Sequence, residues 1–210
     1  MAARSDQYFT REPESASRPR ECDFSFRGRE LRFTTDAGVF SRGELDEGTR
    51  LLLEALPERM SGRLLDLGCG WGPVGVSLKT CFPEAEVWMT DVNLRALERS
   101  RENAERNGAQ VRCLESDGFS ALEGLEFDAV ITNPPIRAGK QVIYRLFAEA
   151  EAHLKPGGSL FLVIRKQQGA ESCLKYLRTL FASAERLDRS AGFWVIEARK
   201  AGSEAEAAEE

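Results

Sequence analysis

Two short stretches of this chain carry groups whose types and spacing could do chemistry. The first is Asp66-Leu67-Gly68-Cys69-Gly70-Trp71-Gly72, extended by Gly75, with a carboxylate just ahead of four glycines in eight positions. Glycines at that density cost backbone entropy that a simple connection avoids; a tight turn pressed against a ligand needs them. Gly70-x-Gly72-x-x-Gly75 also satisfies the G-x-G-x-x-G pattern of dinucleotide loops, a weak signal by itself. Asp66 argues against a pyrophosphate, which it would repel, and for a sulfonium or amino group. The second stretch is Asn133-Pro134-Pro135-Ile136, the candidate catalytic set. Successive prolines remove two backbone donors and fix φ, so a strand ends there with carbonyls aimed outward. The Asn133 side-chain oxygen and the Pro134 carbonyl could accept from an exocyclic amine of a base. That would orient a poor nucleophile and favour the positive charge that grows on nitrogen as it attacks a methyl group. No strong base is required, because the proton can leave afterwards to water.

Other acceptors fall into place around these two stretches. Asp91 lies 25 residues beyond Asp66, at the end of an apolar run and followed by Val92, where a carboxylate can take two hydrogen bonds from a ribose diol. Asp117 can accept from a base amino group with Gly118 and Phe119 against the ring, or cap a helix.

The elements that must position these residues alternate. Apolar runs at Leu64–Leu67, Val87–Asp91, Val111–Leu114, Phe127–Thr132 and Ser159–Ile164 read as strands, with helices between them from Val74, Asn93 and Val142. This order predicts an α/β domain of Rossmann type: a mostly parallel seven-stranded sheet, helices on both faces, and an antiparallel terminal strand formed by the last pair, Ala184–Asp188 and Phe193–Arg199. Asp66, Asp91, Asp117, Asn133 and Arg165 then all sit at carboxyl ends of strands, where such sheets bind ligands. Phe24 to Thr34 alternates around Gly28-Arg29 as a β-hairpin, with Arg27 and Arg32 on its polar face, where they could guide RNA or simply be solvated. A helix over Glu44–Leu56, stopped by Pro57, is expected to cover the sheet edge leading into the glycine loop. The Gly38-Val39-Phe40-Ser41 loop before it could close over a bound ligand. Lys155-Pro156-Gly157-Gly158 reads as a turn.

At 210 residues and 42% hydrophobic content, one domain is expected over residues 22–200, with a flexible segment 1–21 and a disordered acidic tail 201–210. Tyr8 and Phe9 could anchor the first of these. No membrane span or signal peptide is legible, so a soluble cytoplasmic protein, monomeric and without a membrane partner, is expected. Five scattered cysteines fit reduced thiols, and one histidine, His153, with no Cys/His cluster leaves no metal site to expect. The net charge of −5 includes Glu204, Glu206, Glu209 and Glu210 of the tail. It therefore decides little about nucleic acid, and the local cations Arg137, Lys140, Arg165 and Lys166, with Phe40, are the candidate substrate contacts.

D-x-G-C-G-x-G resembles the S-adenosyl-L-methionine (AdoMet) loop of class I methyltransferases. Together with N-P-P-I, the preceding G-V-F-S and the following L-K-P-G-G, it is similar to the bacterial small-subunit ribosomal RNA guanine-N2 methyltransferases, above all their short single-domain relatives. The similarity runs from about Phe24 to Lys200. It implies AdoMet as cofactor, held by Asp66, Gly68, Gly70, Gly72, Asp91, Val92, Asp117, Gly118, Phe119 and Asn133. It also implies a guanine N2 amine in RNA, on ribosomal RNA or a ribosomal subunit, as the acceptor at Asn133-Pro134-Pro135. Larger members add a duplicated N-terminal domain, of which no copy is expected within these 210 residues, and Ile136 replaces an aromatic common after the second proline. Other readings stay open: the same chemistry on a protein glutamine or small-molecule amine, a nicotinamide-dependent oxidoreductase, or a catalytically silent RNA-binding module.

Overall fold

The computed structural model describes residues 11–12, 15–41 and 43–203. The Tyr8–Phe9 anchor and the four tail glutamates lie outside them. Among the described residues are nine strands and five helices: β1 (Arg20–Phe26), β2 (Arg29–Thr35), α1 (Glu47–Ala55), β3 (Arg63–Leu67), α2 (Pro73–Cys81), β4 (Glu86–Asp91), α3 (Leu94–Arg106), β5 (Arg112–Glu115), β6 (Phe127–Thr132), α4 (Lys140–His153), β7 (Leu154–Arg165), α5 (Ala170–Leu180), β8 (Ser183–Ser190) and β9 (Phe193–Arg199). Seven strands form one sheet in the order β5-β4-β3-β6-β7-β9-β8. Its members are parallel except β9, which pairs antiparallel with β7 on one side and β8 on the other.

The period-2 alternation of the strands separates two apolar cores. Leu64, Val87, Met89, Ile131, Phe161, Val163 and Val195 face one of them, with α1, α2, α3 and the hairpin. Leu65, Leu67, Val130, Leu160, Leu162, Ile164 and Ile196 face the other, with α4 and α5. Such strands, apolar on both sides, are what a sheet covered on both faces demands.

Four expectations need correction. The hairpin turns at Arg27-Gly28, one residue earlier than expected, with both residues at positive φ (48° and 74°), the geometry that matches strand twist in a two-residue turn. The Arg27 guanidinium faces protein, donating to the carbonyl oxygens of Leu56, Pro57 and Glu58 just beyond α1 and lying over the Phe26 and Phe82 rings. Helix α1 packs mainly across β7, β8 and β9 rather than over the strand that leads into the glycine loop, and also touches α2. And Lys155-Pro156-Gly157-Gly158 is no separate turn but the irregular start of β7, because Gly157 N–H donates to Ala201 O and Gly158 O accepts from Lys200 N–H. Strand β1 starts at Arg20, and residues ahead of it are bonded: Leu94 N–H donates to Arg11 O, and Ser17 and Arg18 donate to the buried Asp36 carboxylate. All five cysteines are free.

One feature joins the hairpin to the sheet. Asn103 and Asn107, one turn apart on α3, present their amides to the backbone of β2 like the edge of another strand. Asn107 accepts from Arg32 N–H (3.0 Å) and donates to Arg32 O (2.7 Å); Asn103 accepts from Thr34 N–H (2.7 Å) and donates to Thr34 O (2.9 Å). Asn103 also donates to Trp71 O of the glycine loop at 2.8 Å. It is 1% exposed, so its removal leaves buried backbone groups without partners. Asn103→Ala should lower unfolding free energy by about 2–4 kcal/mol, read from urea titrations, whereas Asn107→Ala, at a half-buried position, should cost about 1 kcal/mol.

Candidate active site

The carboxyl ends of the parallel strands open into a cavity of about 1060 Å³. Asp66, Gly68, Gly70, Asp91, Val92, Asp117 and Gly118 line one end of it, and Phe40, Asn133, Pro134, Pro135, Ile136, Arg137 and Arg165 the other. Neighbouring strands bring the two ends together. Asp66 on β3 lies opposite Ile131 on β6, two residues before Asn133. That register places the Asp66 and Asn133 backbones roughly 8 Å apart.

Asp66 is 3% exposed, and its Oδ2 accepts from Gly75 N–H at 2.8 Å. Burial raises its pKa to about 7; the Gly75 bond opposes the shift and the charge of Asp91 adds to it. Asp91 accepts from Gly70 N–H through Oδ2 and from Asn93 N–H through Oδ1, both at 2.8 Å. Burial outweighs these bonds and raises its pKa to about 6. Both groups thus lie in surroundings that disfavour negative charge. Above them the loop is open: a Cβ built on Gly68 or Gly70, both at positive φ, meets nothing within 4 Å. The Cys69 thiol beside them is pushed well up by burial and the two carboxylates, so it stays protonated.

Four expected site residues do not line the cavity. Gly72 takes φ +91° at the start of α2 and abuts α3; a Cβ there would stand 2.9 Å from Met89 Cε and 3.1 Å from Ser100 Cβ. Phe119 points into the second core, stacked on His153 with centroids 4.6 Å apart, because the chain turns at Gly118. The Lys140 ammonium lies 5.0 Å over the Tyr144 ring one turn along α4. Lys166 begins a 3-10 turn beyond β7, tied by its N–H to Gly192 O. Asp117 reaches the cavity, but its Oδ1 accepts from Arg145 Nη2 at 2.7 Å.

At the other end, the Asn133 Nδ2 donates to Asp46 Oδ2 (3.1 Å) and Thr49 Oγ1 (3.0 Å). Its Oδ1 has no partner among the described residues and is the atom left to accept. The Pro134 carbonyl already accepts from Ile136 N–H at 2.8 Å, and Pro135 O from Ala138 N–H at 2.8 Å. Pro134 O therefore keeps one lone pair for a substrate rather than two. The Gly38–Ser41 loop is anchored rather than loose: Phe40 O accepts from Trp71 Nε1 (3.0 Å), Gly38 O from Asn93 Nδ2 (2.9 Å) and Ala37 O from Arg95 Nη1 (2.8 Å). Arg165 lies 4.3 Å over the Phe193 ring at the rim. Sequence reasoning missed Asp46, Thr49 and Arg145, all on the cavity wall. For Asp46 a signal existed: an Asp three residues before a Thr at a helix start is an N-cap pattern, and Asp46 Oδ2 does accept from Thr49 N–H.

With this geometry in view, the family described as methyltransferase small domain matches residues 30–197. The chain belongs to the methyltransferase small domain family. This family member is 41% identical over 199 residues to the uncharacterized Bacillus subtilis protein YbxB, covering 93% of this chain and 99% of YbxB. It is 40% identical over 177 residues to ribosomal RNA small subunit methyltransferase C of Hahella chejuensis, covering 79% of this chain and 51% of that protein. Among solved structures it superposes, with TM-score 0.80 and 32% identity, on T. thermophilus RsmC, a 16S rRNA N2 guanine methyltransferase in complex with AdoMet and guanosine, covering 90% of this chain and 52% of RsmC. The chain thus spans about half the length of the methyltransferase C relatives it matches. Its Rossmann-like methyltransferase fold agrees with the expected architecture. No helix among the described residues is long and apolar enough to cross a membrane.

The buried carboxylates couple stability to pH. Asp66 and Asp91 have raised pKa values, so between about pH 4 and about pH 7 the folded state binds more protons than the unfolded chain. Unfolding free energy therefore falls as pH rises through this window. Denaturant titrations of the ligand-free protein at about pH 5 and about pH 8 should show this loss, on the order of a few kcal/mol, and Asp66→Asn should reduce it.

Proposed function

We propose that this protein is an AdoMet-dependent RNA methyltransferase that transfers a methyl group to the exocyclic N2 amine of guanine, in ribosomal RNA. The observation that carries this is the shared cavity: the Asp66–Asp91 pair opens into the same space as Asn133, whose amide nitrogen is tied away. The residues present suit the donor. The Asp66 and Asp91 carboxylates suit its positive charge, and the open glycine backbone at Gly68 and Gly70 leaves room where side chains would intrude. AdoMet would supply an electrophilic sulfonium methyl. Asp91 with Val92 would hold the ribose, and Asp117 with Gly118 the adenine, Asp117 exchanging part of its bond to Arg145.

At the acceptor end, Asn133 Oδ1 and the remaining Pro134 lone pair would accept the two hydrogens of the guanine amine. Holding the nitrogen in line removes orientational freedom, and the acceptors favour the charge that develops as nitrogen loses its delocalised lone pair. The proton then passes to water. Phe40 would face the base, and Arg137 and Arg165 at the rim would meet phosphates, which makes RNA affinity fall with added salt.

The deciding experiment is nucleoside analysis of ribosomal RNA from a strain lacking the gene, which should lose an N2-methylguanosine that reappears on complementation. Asn133→Ala should fail to restore it, with methyl transfer in vitro down at least ~100-fold and AdoMet still bound. Unchanged N2-methylguanosine, with label from AdoMet entering protein instead, would move the acceptor to a glutamine. AdoMet affinity itself should rise from about pH 5 to about pH 8, as protons leave Asp66 and Asp91, and calorimetry should record their release. Asp66→Asn should weaken binding roughly tenfold and flatten that profile.

A further inference from the structure

The side chain of Asn133 is symmetric in shape but not in chemistry. Whichever atom faces the cavity decides whether a substrate must donate to it or accept from it. Its Nδ2 is turned to the N-terminal turn of α1, where it donates to Asp46 Oδ2 and Thr49 Oγ1. The same Asp46 oxygen accepts the Thr49 N–H at 3.0 Å and faces the Thr49 hydroxyl at 3.5 Å. With its proton turned toward Asp46, that hydroxyl offers oxygen lone pairs to Asn133. A half-turn of the Asn133 amide would set its carbonyl oxygen against the Asp46 carboxylate oxygen, which has no proton to give, and would keep a bond to Thr49 only if that hydroxyl turned its proton away from Asp46. Thr49 itself is 4% exposed.

We infer that Asp46 and Thr49 are positioning residues that hold Asn133 as a hydrogen-bond acceptor, so that the site selects a substrate NH₂ over a carbonyl or a bare ring nitrogen. The inference rests on the proposal that Asn133 meets the methyl-accepting amine. A carboxylate behind the amide N–H also polarises it, making Oδ1 a stronger acceptor for charge growing on the substrate nitrogen. The helix cap does not need Asn133, since the Asp46 bond to Thr49 N–H is independent of it. The same two residues thus serve two separable purposes.

The separation makes the idea testable in the full-length protein. Asp46→Asn keeps the cap but can offer its own NH₂ to Asn133 and release the amide from one orientation. Thr49→Val removes the hydroxyl at constant shape, and Thr49→Ser returns it. With RNA from the deletion strain as substrate, Asp46→Asn and Thr49→Val should each lower kcat about tenfold or more, with AdoMet affinity and RNA KM within about twofold, and Thr49→Ser should recover most of kcat. In selectively ¹⁵N-labelled protein, the two Asn133 side-chain protons should be distinct and slow to exchange in the parent and lose that protection in both variants. Parent-like kcat in Asp46→Asn and Thr49→Val would overturn the inference and leave the proposed function standing. So would loss of AdoMet binding alongside kcat, which marks a general structural defect. If the parent methylates no RNA, the proposed function falls, and the resonances alone decide: unaltered Asn133 protons in both variants overturn the pairing.

Discussion

Two carboxylates at the ends of adjacent strands, Asp66 buried and Asp91 half-buried, constrain the rest of this molecule. Asp66 and Asp91 occupy a region where charge is costly, and the backbone must come to them, since the described structure places no cationic side chain against either. Gly75, Gly70 and Asn93 supply the N–H groups. The supply shapes the sequence. A Cβ on Gly75 would stand 3.2 Å from Asp66 Oδ2 and 2.6 Å from Met89 Cγ, so the helix can approach the carboxylate only without a side chain there. Gly72 brings α2 close to Ser100 of α3, while Gly68 and Gly70 face open space. The apparent G-x-G-x-x-G pattern is therefore a superposition of two demands: one glycine toward the ligand side, two for packing around an internal acid.

The two ends of the cavity are stabilised differently. The donor end is built from loops whose backbone is bonded to the parallel sheet itself. The acceptor end depends on α1, a helix encoded before the glycine loop and packed across β7, β8 and β9. Phe193 lies so close to Gly48 that a Cβ there would come within 2.8 Å of the ring. The reversed strand β9 thus seats the helix that orients Asn133, which gives the antiparallel end of the sheet a part in the chemistry of the parallel end.

Much of this was legible in the sequence because the signals are local. Phe127–Thr132 and Phe193–Arg199 fall at the expected bounds, since unbroken apolar runs flanked by turn residues leave little choice. Placing Asp66, Asp91, Asp117, Asn133 and Arg165 on one rim needed only the direction of the strands. What escaped was tertiary. Asn107 reads as a helix stop, and nothing nearby indicates that its amide pairs with Arg32, 75 residues earlier. Phe119 beside Gly118 looks like a ring against a base; only the position of His153 shows that it is core. Arg27 reads as a solvated cation until the carbonyls after α1 converge on it. The start of β7 hid behind Pro156 and two glycines because its pairing is supplied by residues 200 and 201, beyond the last strand.

The asparagine seam between β2 and α3 has a bearing on how the chain is made. The hairpin is translated among the first elements, yet the aromatic face of Phe24, Phe26 and Phe33 is covered only by partners that include α2 and α3. Thr34 waits 69 residues for Asn103. A nascent chain leaving the ribosome exposes that oily ribbon for seconds, at synthesis rates of about 5–20 residues per second. Alternating charges on its outer side, Glu21, Asp23, Glu30 and Arg32, would keep such an unfinished ribbon from pairing with its neighbours on the same message.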